Sequence, residues 1–169
     1  PYQLLARVHE KAGHDAVAHI YYKRYLEQNP EDQTAAYEFA IGLIHKRLYK
    51  EVEELAARME DIRGLPLLAQ ALIQRRDYES ALVTFRRYIE ALPPEEQGLY
   101  DDIALVGLPH EVRAYQTTPP EAREAFLRDF WLKKDPFKTS GGALRRAEHY
   151  RRVWYARSFF GQTRWPWDR

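Results

Sequence analysis

Apolar residues in the first half of the chain recur at helical spacing, and one such pattern is written twice. Residues 18–30 carry Ala18, Ile20, Tyr22, Lys23, Arg24, Tyr25, Leu26, Glu27 and Pro30. Residues 81–93 carry Ala81, Val83, Phe85, Arg86, Arg87, Tyr88, Ile89, Glu90 and Pro93 in the same order. Ala18, Tyr22 and Tyr25 fall at i, i+4 and i+7, as do Ala81, Phe85 and Tyr88, so each set predicts one apolar helix face. Pro30 and Pro93 end their helices, because proline lacks the amide hydrogen and restricts the residue before it. Upstream of each lies a second apolar helix, one with Leu4, Leu5 and Val8 ending at Gly13, the other with Leu67, Leu68, Ala71, Leu72 and Ile73. Each unit reads as helix, short turn, helix and proline-containing loop. Such self-similarity marks a repeated helical unit, and stacked repeats present a surface more often than a catalytic pocket.

These units resemble the tetratricopeptide repeat, whose pattern places an aromatic, a Leu-small pair, a second aromatic, a small residue, a third aromatic and a proline at fixed offsets. The first unit matches with Tyr2, Leu5, Ala6, His9, Ala18, Tyr22 and Pro30, and the last with Leu65, Leu68, Ala69, Leu72, Ala81, Phe85 and Pro93. Phe39, Ala40, Leu43, Val52 and Ala56 form a weaker middle unit, closed by the short loop Asp61-Ile62-Arg63-Gly64, which has no proline. The resemblance implies an all-α, solenoid-like array of three degenerate hairpins over residues 1–95. In that family the first helix of each hairpin lines a concave groove. Carried over, this implies a partner-binding row of Arg7, Glu10, Lys11, Tyr37, Ile41, His45, Gln70 and Gln74.

After residue 95 the pattern changes. Residues 96–118 read as connecting short helices interrupted at Gly107-Leu108-Pro109. Thr118-Pro119-Pro120-Glu121 predicts a capping box and a helix start, with the helix running to about Lys134, where Asp135-Pro136 stops it. A last helix is expected from Ala143 to Phe160, ended by Gly161. Within residues 119–169, Phe130-Trp131-x3-Asp135-Pro136, His149-Tyr150-x-Arg152-Val153-x-Tyr155-Ala156-Arg157 and Trp165-x2-Asp168-Arg169 occur in that order. Together they resemble the lead-in to the GWxTD domain, a bacterial module often found in envelope proteins. Arg164 and Trp167 stand where that family has Gly and Thr. The resemblance implies a fragment whose distinctive domain lies beyond Arg169, in a periplasmic or cell-envelope protein, with a cytoplasmic one as the alternative.

Composition narrows the classes. A chain of 169 residues buries roughly 70% of its unfolded surface and needs no metal or disulfide staple. Its net charge of +1 gives no overall nucleic-acid footprint, and with no cysteine there is no disulfide, thiolate metal site or cysteine nucleophile. No apolar run approaches the roughly 20 residues of a membrane span. Pro1 enters directly into an amphipathic helix, and both ends read as cut.

The candidate chemistry is thin. His9, His14 and His19 are five residues apart, a spacing that turns side chains away from one another on a helix, so structural or surface roles are expected. Glu53-Glu54, Glu95-Glu96 and Asp101-Asp102 read as solvated faces, since adjacent helical residues point apart. Gly141-Gly142 before a helix reads as a turn in preference to an anion site. No nucleophile elbow, phosphate loop or dinucleotide fingerprint is present, so neither catalysis nor a cofactor is expected.

The sharpest local signal is the arginine–aromatic segment after Arg145. Interleaved arginines and rings can bind single-stranded nucleic acid, form a protein interface, or simply pack with the guanidinium heads in water. The expectation is a non-catalytic protein-binding or scaffold module with a docking surface at Trp131, Arg151, Trp154, Tyr155, Trp165 and Trp167. Nucleic-acid binding through the last helix is the alternative.

Overall fold

A computed structural model describes residues 1–135 and 140–160. The described residues form ten α-helices and no strand, so the chain is all-α. Contacts divide it into two units, with the boundary between Ala71 and Leu72.

In the first unit, α1 (Tyr2–Lys11) packs on α2 (Asp15–Gln28), α2 on α3 (Gln33–His45), and α3 on α4 (Tyr49–Ala56). Of the faces expected from the spacing, Ala18 and Tyr22 on α2, Phe39, Ala40 and Leu43 on α3, and Val52 and Ala56 on α4 are buried and Tyr25 is half-buried, whereas Leu4, Leu5 and Val8 of α1 are exposed and Ala6 is the buried residue of that helix. Buried alanines at positions 6, 18, 35, 36 and 40 let the backbones approach, and the Tyr22 and Phe39 rings stack at 5.2 Å in the space that remains. Asp32 starts α3 by accepting from the Ala35 amide at 2.9 Å, and Tyr25 donates its hydroxyl to the same carboxylate at 2.8 Å.

The hairpin turns share one geometry. Gly13, at φ 73°, ends α1 in the left-handed region, its amide bonded to Glu10 O and that of His14 to His9 O. Arg47 (φ 59°) does the same after α3, with bonds from Arg47 to Ile44 O and from Leu48 to Leu43 O. Arg76 (φ 63°) repeats it between α5 (Gly64–Gln74) and α6 (Tyr78–Glu90), through Ile73 O and Leu72 O. The left-handed residue recurs 34 positions on and then 29 further. The shorter second step matches α4, which has 8 residues where α2 has 14 and α6 has 13. Arg47 and Arg76 are both exposed and carry a Cβ where glycine is unstrained. Arg47→Gly and Arg76→Gly are each expected to stabilise by about 0.5–1 kcal/mol, the relief of strain exceeding the added chain entropy. Thermal unfolding should then rise by about 1–4 °C for each.

The second unit, from Leu72 onward, holds α6, α7 (Pro94–Tyr100), α8 (Pro109–Thr117), α9 (Pro120–Lys134) and α10 (Ala143–Phe160). α10 packs on α6, α7 and α9. Thus α6, grouped with the repeats by its sequence, belongs to the unit that α10 organises. Each of α7, α8 and α9 opens on proline, where no amide donor is needed. The predicted capping box at Thr118 is not made: Pro119 takes the N-cap, and the Thr118 hydroxyl donates to Ala114 O at 2.7 Å, closing α8 instead. Ile103, Leu127, Phe130 and Trp131 form a core cluster on which Val112, Tyr115 and Phe126 pack.

The α9–α10 connection is fixed at its described ends. Ser140 hydroxyl donates to the buried Asp135 carboxylate. Gly142, at φ 88°, brings the start of α10 so close to α9 that a Cβ would sit 2.7 Å from Leu132 N and 2.9 Å from Trp131 C. A side chain there would meet backbone that cannot yield, which explains the second glycine of the pair.

Candidate functional site

A cleft of about 610 Å³ opens in the second unit. α6 contributes Arg86, α8 Tyr115, α9 Arg123 and Glu124, α10 Arg146 and Tyr150, and the residue after α7 is Asp101. Arg146 and Tyr150 stand one turn apart on the inward face of α10, between Ala143 and Trp154.

The Arg146 side chain is only 4% exposed. Its two terminal nitrogens donate to both Glu124 oxygens at 2.7 Å, one of them also approaching Asp101 Oδ1 at 3.3 Å, and its Nε donates to Tyr150 OH at 2.8 Å. Tyr150 donates onward to Asp101 Oδ1 at 2.7 Å, and Arg86 adds a third bond to Glu124. Burial works against the charge on Arg146, but the Glu124 hydrogen bonds, with Tyr150 and Asp101, overcome it and push its pKa up. Those bonds hold the Glu124 carboxyl below its ordinary range. Burial, followed by the Asp101 charge, raises Tyr150, so its hydroxyl keeps the proton it donates.

His149 lies behind this network. Burial lowers its pKa, and its Nε2 is 3.0 Å from Tyr100 O. A carbonyl oxygen only accepts, so the neutral ring carries its proton on Nε2. The ring sits 4.9 Å from that of Trp131.

Chemically, this is a bidentate ion pair with further bonds to Tyr150 and Asp101, clamping α6, α9, α10 and the segment after α7. The carboxylates are occupied by guanidinium and phenol donors, which leaves the arrangement without a nucleophile–base pair. Among the described residues, no group of three or more His, Asp or Glu side chains could hold a metal ion.

The expected docking residues fall in different places. Trp131 and Trp154 are 5% and 2% exposed, so their rings are core and do not form a surface. Arg151 pairs with Glu148 at 2.7 Å, and Tyr155 packs on Phe159 at 4.4 Å. Trp165 and Trp167 lie outside the described residues. On the last helix, Arg146, Arg151, Arg152 and Arg157 all face carboxylates: Glu124 and Asp101, Glu148, Glu148 and Glu96 respectively. The arginine run is therefore largely balanced in place.

The expected groove row is also divided. Arg7 grips Glu38 of α3 through two bonds of 2.9 and 2.6 Å. Glu10 accepts from the Tyr22 hydroxyl at 3.3 Å, while burial, reinforced by Glu10, pushes the Tyr22 pKa up to about 12. Arg63 lies over the half-buried Tyr37 ring at 5.1 Å. Lys11 and His45 are exposed and Ile41 is half-buried. Gln70 is 3% exposed and cannot line a groove, whereas Gln74 is exposed and belongs to the second unit.

Two other findings depart from the sequence reading. His9 and His14 do converge, their Nδ1 atoms 3.4 Å apart, because the Gly13 turn folds the chain back between them. His19 instead meets Phe39 edge-on at 4.8 Å. Asp101, expected on a solvated face, and Glu124, not singled out from the sequence, are the partners of the buried arginine across 45 and 22 residues of chain. The signal for them was Arg146 itself, an arginine on the apolar row of its helix that needs acids once buried. Comparison with protein-family models, with curated proteins and with solved structures finds no match to this chain.

Proposed function

We propose that this chain is a non-catalytic protein-binding module of tetratricopeptide-like hairpins, acting as an adaptor or subunit of a larger bacterial envelope assembly. The observation that carries the reading is the left-handed turn repeated at Gly13, Arg47 and Arg76. Its first step of 34 residues equals the length of that repeat. The successive packing of α1, α2, α3 and α4 adds support. The envelope setting rests on the likeness of the C-terminal segment to the GWxTD lead-in. The ion-paired arginines of α10 weigh against nucleic acid, because paired guanidinium groups release fewer counterions from a phosphate backbone.

The partner face is placed on the α1 and α3 row at the exposed Lys11 and His45 and the half-buried Ile41. Selection of a random peptide library on the immobilised chain tests this. Enriched peptides should bind the Lys11→Glu/His45→Glu variant roughly tenfold more weakly, at unchanged circular dichroism. Undiminished binding would remove the groove assignment. Failure to enrich any peptide would remove the protein-binding reading itself.

A further inference from the structure

The turn between α1 and α2 brings two imidazole nitrogens together through its backbone. Gly13, at φ 73°, reverses the chain, and the His14 amide bonds to His9 O at 2.8 Å, tying the two histidine positions to each other. Their Nδ1 atoms then lie 3.4 Å apart. His9 is half-buried, its ring stacked on that of Tyr21 at 5.4 Å, and Tyr2 stacks on Tyr21 in turn at 6.1 Å. His14 is exposed. One ring of the pair is held in place and the other has room to turn.

The separation itself discriminates between uses of the pair. A hydrogen bond from a ring nitrogen is best at about 2.7–3.2 Å, so 3.4 Å is long for one. Two nitrogens bound to one tetrahedral metal ion at about 2.0–2.1 Å stand about 3.3–3.4 Å apart, the edge of the tetrahedron. The right angle of a tetragonal site would bring them to about 2.8–3.0 Å. The observed spacing is the tetrahedral edge. The ring centroids are 5.6 Å apart and the planes tilted by 43°, so the nitrogens face each other across the gap. A modest rotation of the exposed His14 ring aims both lone pairs at one point.

The nearest carboxylates along the chain are already engaged. Glu10 accepts from the Tyr22 hydroxyl at 3.3 Å, and Asp15 pairs with Lys46 at 3.6 Å. Among the described residues no third His, Asp or Glu completes a ligand set. Two imidazoles therefore leave the other positions of a four-coordinate ion to water.

We propose that His9 and His14 chelate a divalent transition metal ion, Zn²⁺, through their Nδ1 atoms. Imidazole nitrogen suits Zn²⁺, whereas Mg²⁺ and Ca²⁺ take oxygen ligands. Cu²⁺ binds imidazole more strongly in general, but it favours the tetragonal angle that this spacing does not offer. The site lies wholly in the first unit and stands independently of the protein-binding reading.

Calorimetric titration of the chain with zinc chloride at neutral pH, in a buffer that does not coordinate zinc, tests this. One ion per chain should bind with a dissociation constant on the order of 10 μM, since two imidazoles supply half the ligands of a closed structural zinc site. His14→Gln should weaken binding roughly 100-fold, because a chelate becomes a single ligand, and His9→Gln should do the same. His110→Gln removes an exposed histidine of α8 and should change nothing. Magnesium chloride should release no heat of binding. The His14 ring is exposed, so its variant should keep the fold, which circular dichroism checks. Nitrogen-15 spectra of the imidazoles give a second readout, in which zinc should move the Nδ1 resonances of both histidines. The site is overturned if the parent shows no saturable binding, if the folded His14→Gln variant binds like the parent, or if the Nε2 resonances move in place of Nδ1.

Discussion

Truncation of Trp154 to alanine is expected to destabilise the second unit by about 3–5 kcal/mol, the range for removing a large buried ring. Trp154 is among the largest fully buried side chains and lies on α10, the helix that packs on α6, α7 and α9. If Trp154 served as a docking surface, the same change would cost within about 0.5 kcal/mol and leave folding intact. The two readings therefore differ several-fold in one measurement. All four tryptophans of the chain follow residue 130, so their emission reports on the second unit. Urea unfolding followed by tryptophan emission should show a midpoint far below that of the parent, and Trp154→Phe should recover most of the loss. An unchanged midpoint in Trp154→Ala would return the ring to the surface.

The helices were legible where periodicity and punctuation agreed. Ala18 with Tyr22, and Ala81 with Phe85, are buried as their spacing implied, and α10 has the bounds read from the chain, Ala143 to Phe160. The turns at Arg47 and Arg76 were not marked, because the expected signal for a left-handed cap is glycine and the fold here tolerates arginine. The convergence of His9 and His14 was missed for a related reason: helical spacing was applied across a turn that reverses the chain. The arginine–aromatic segment was ambiguous because its composition suits a surface and a core equally. Register resolves it, since Ala143, Ala147, Tyr150 and Trp154 form one row and Arg146 lies on that row. A buried arginine in such a row calls for carboxylates, but only the fold determines that they are Glu124 and Asp101.

That clamp carries the second large effect. Glu124→Gln is expected to cost about 3 kcal/mol, because it leaves the buried Arg146 guanidinium with Asp101 as its remaining charged partner. The figure sits at the lower end of the range for a broken buried pair, since the Glu124 side chain is 59% exposed and water can partly replace it. The double variant Arg146→Met/Glu124→Gln should return to within about 1 kcal/mol of the parent, because a methionine stem fills the space and no charge is left buried. Acid should have the matching effect. Hydrogen bonding to Arg146 depresses the folded-state pKa of Glu124, so the unfolded chain binds that proton more readily. The stability contributed by the ionised carboxylate is therefore complete above the unfolded value of about 4.3 and disappears as pH falls through the lower folded value. Protonated glutamic acid and glutamine are nearly isosteric, so the stability gap between the parent and Glu124→Gln should be widest at neutral pH and close below about pH 4. Other depressed carboxyls, such as Asp32 and Glu148, act equally in both proteins and cancel in the difference. Urea midpoints for the two proteins across that pH range measure the gap. A gap that stays constant with pH would mean that the shape of Glu124, and not its charge, keeps Arg146 in the core.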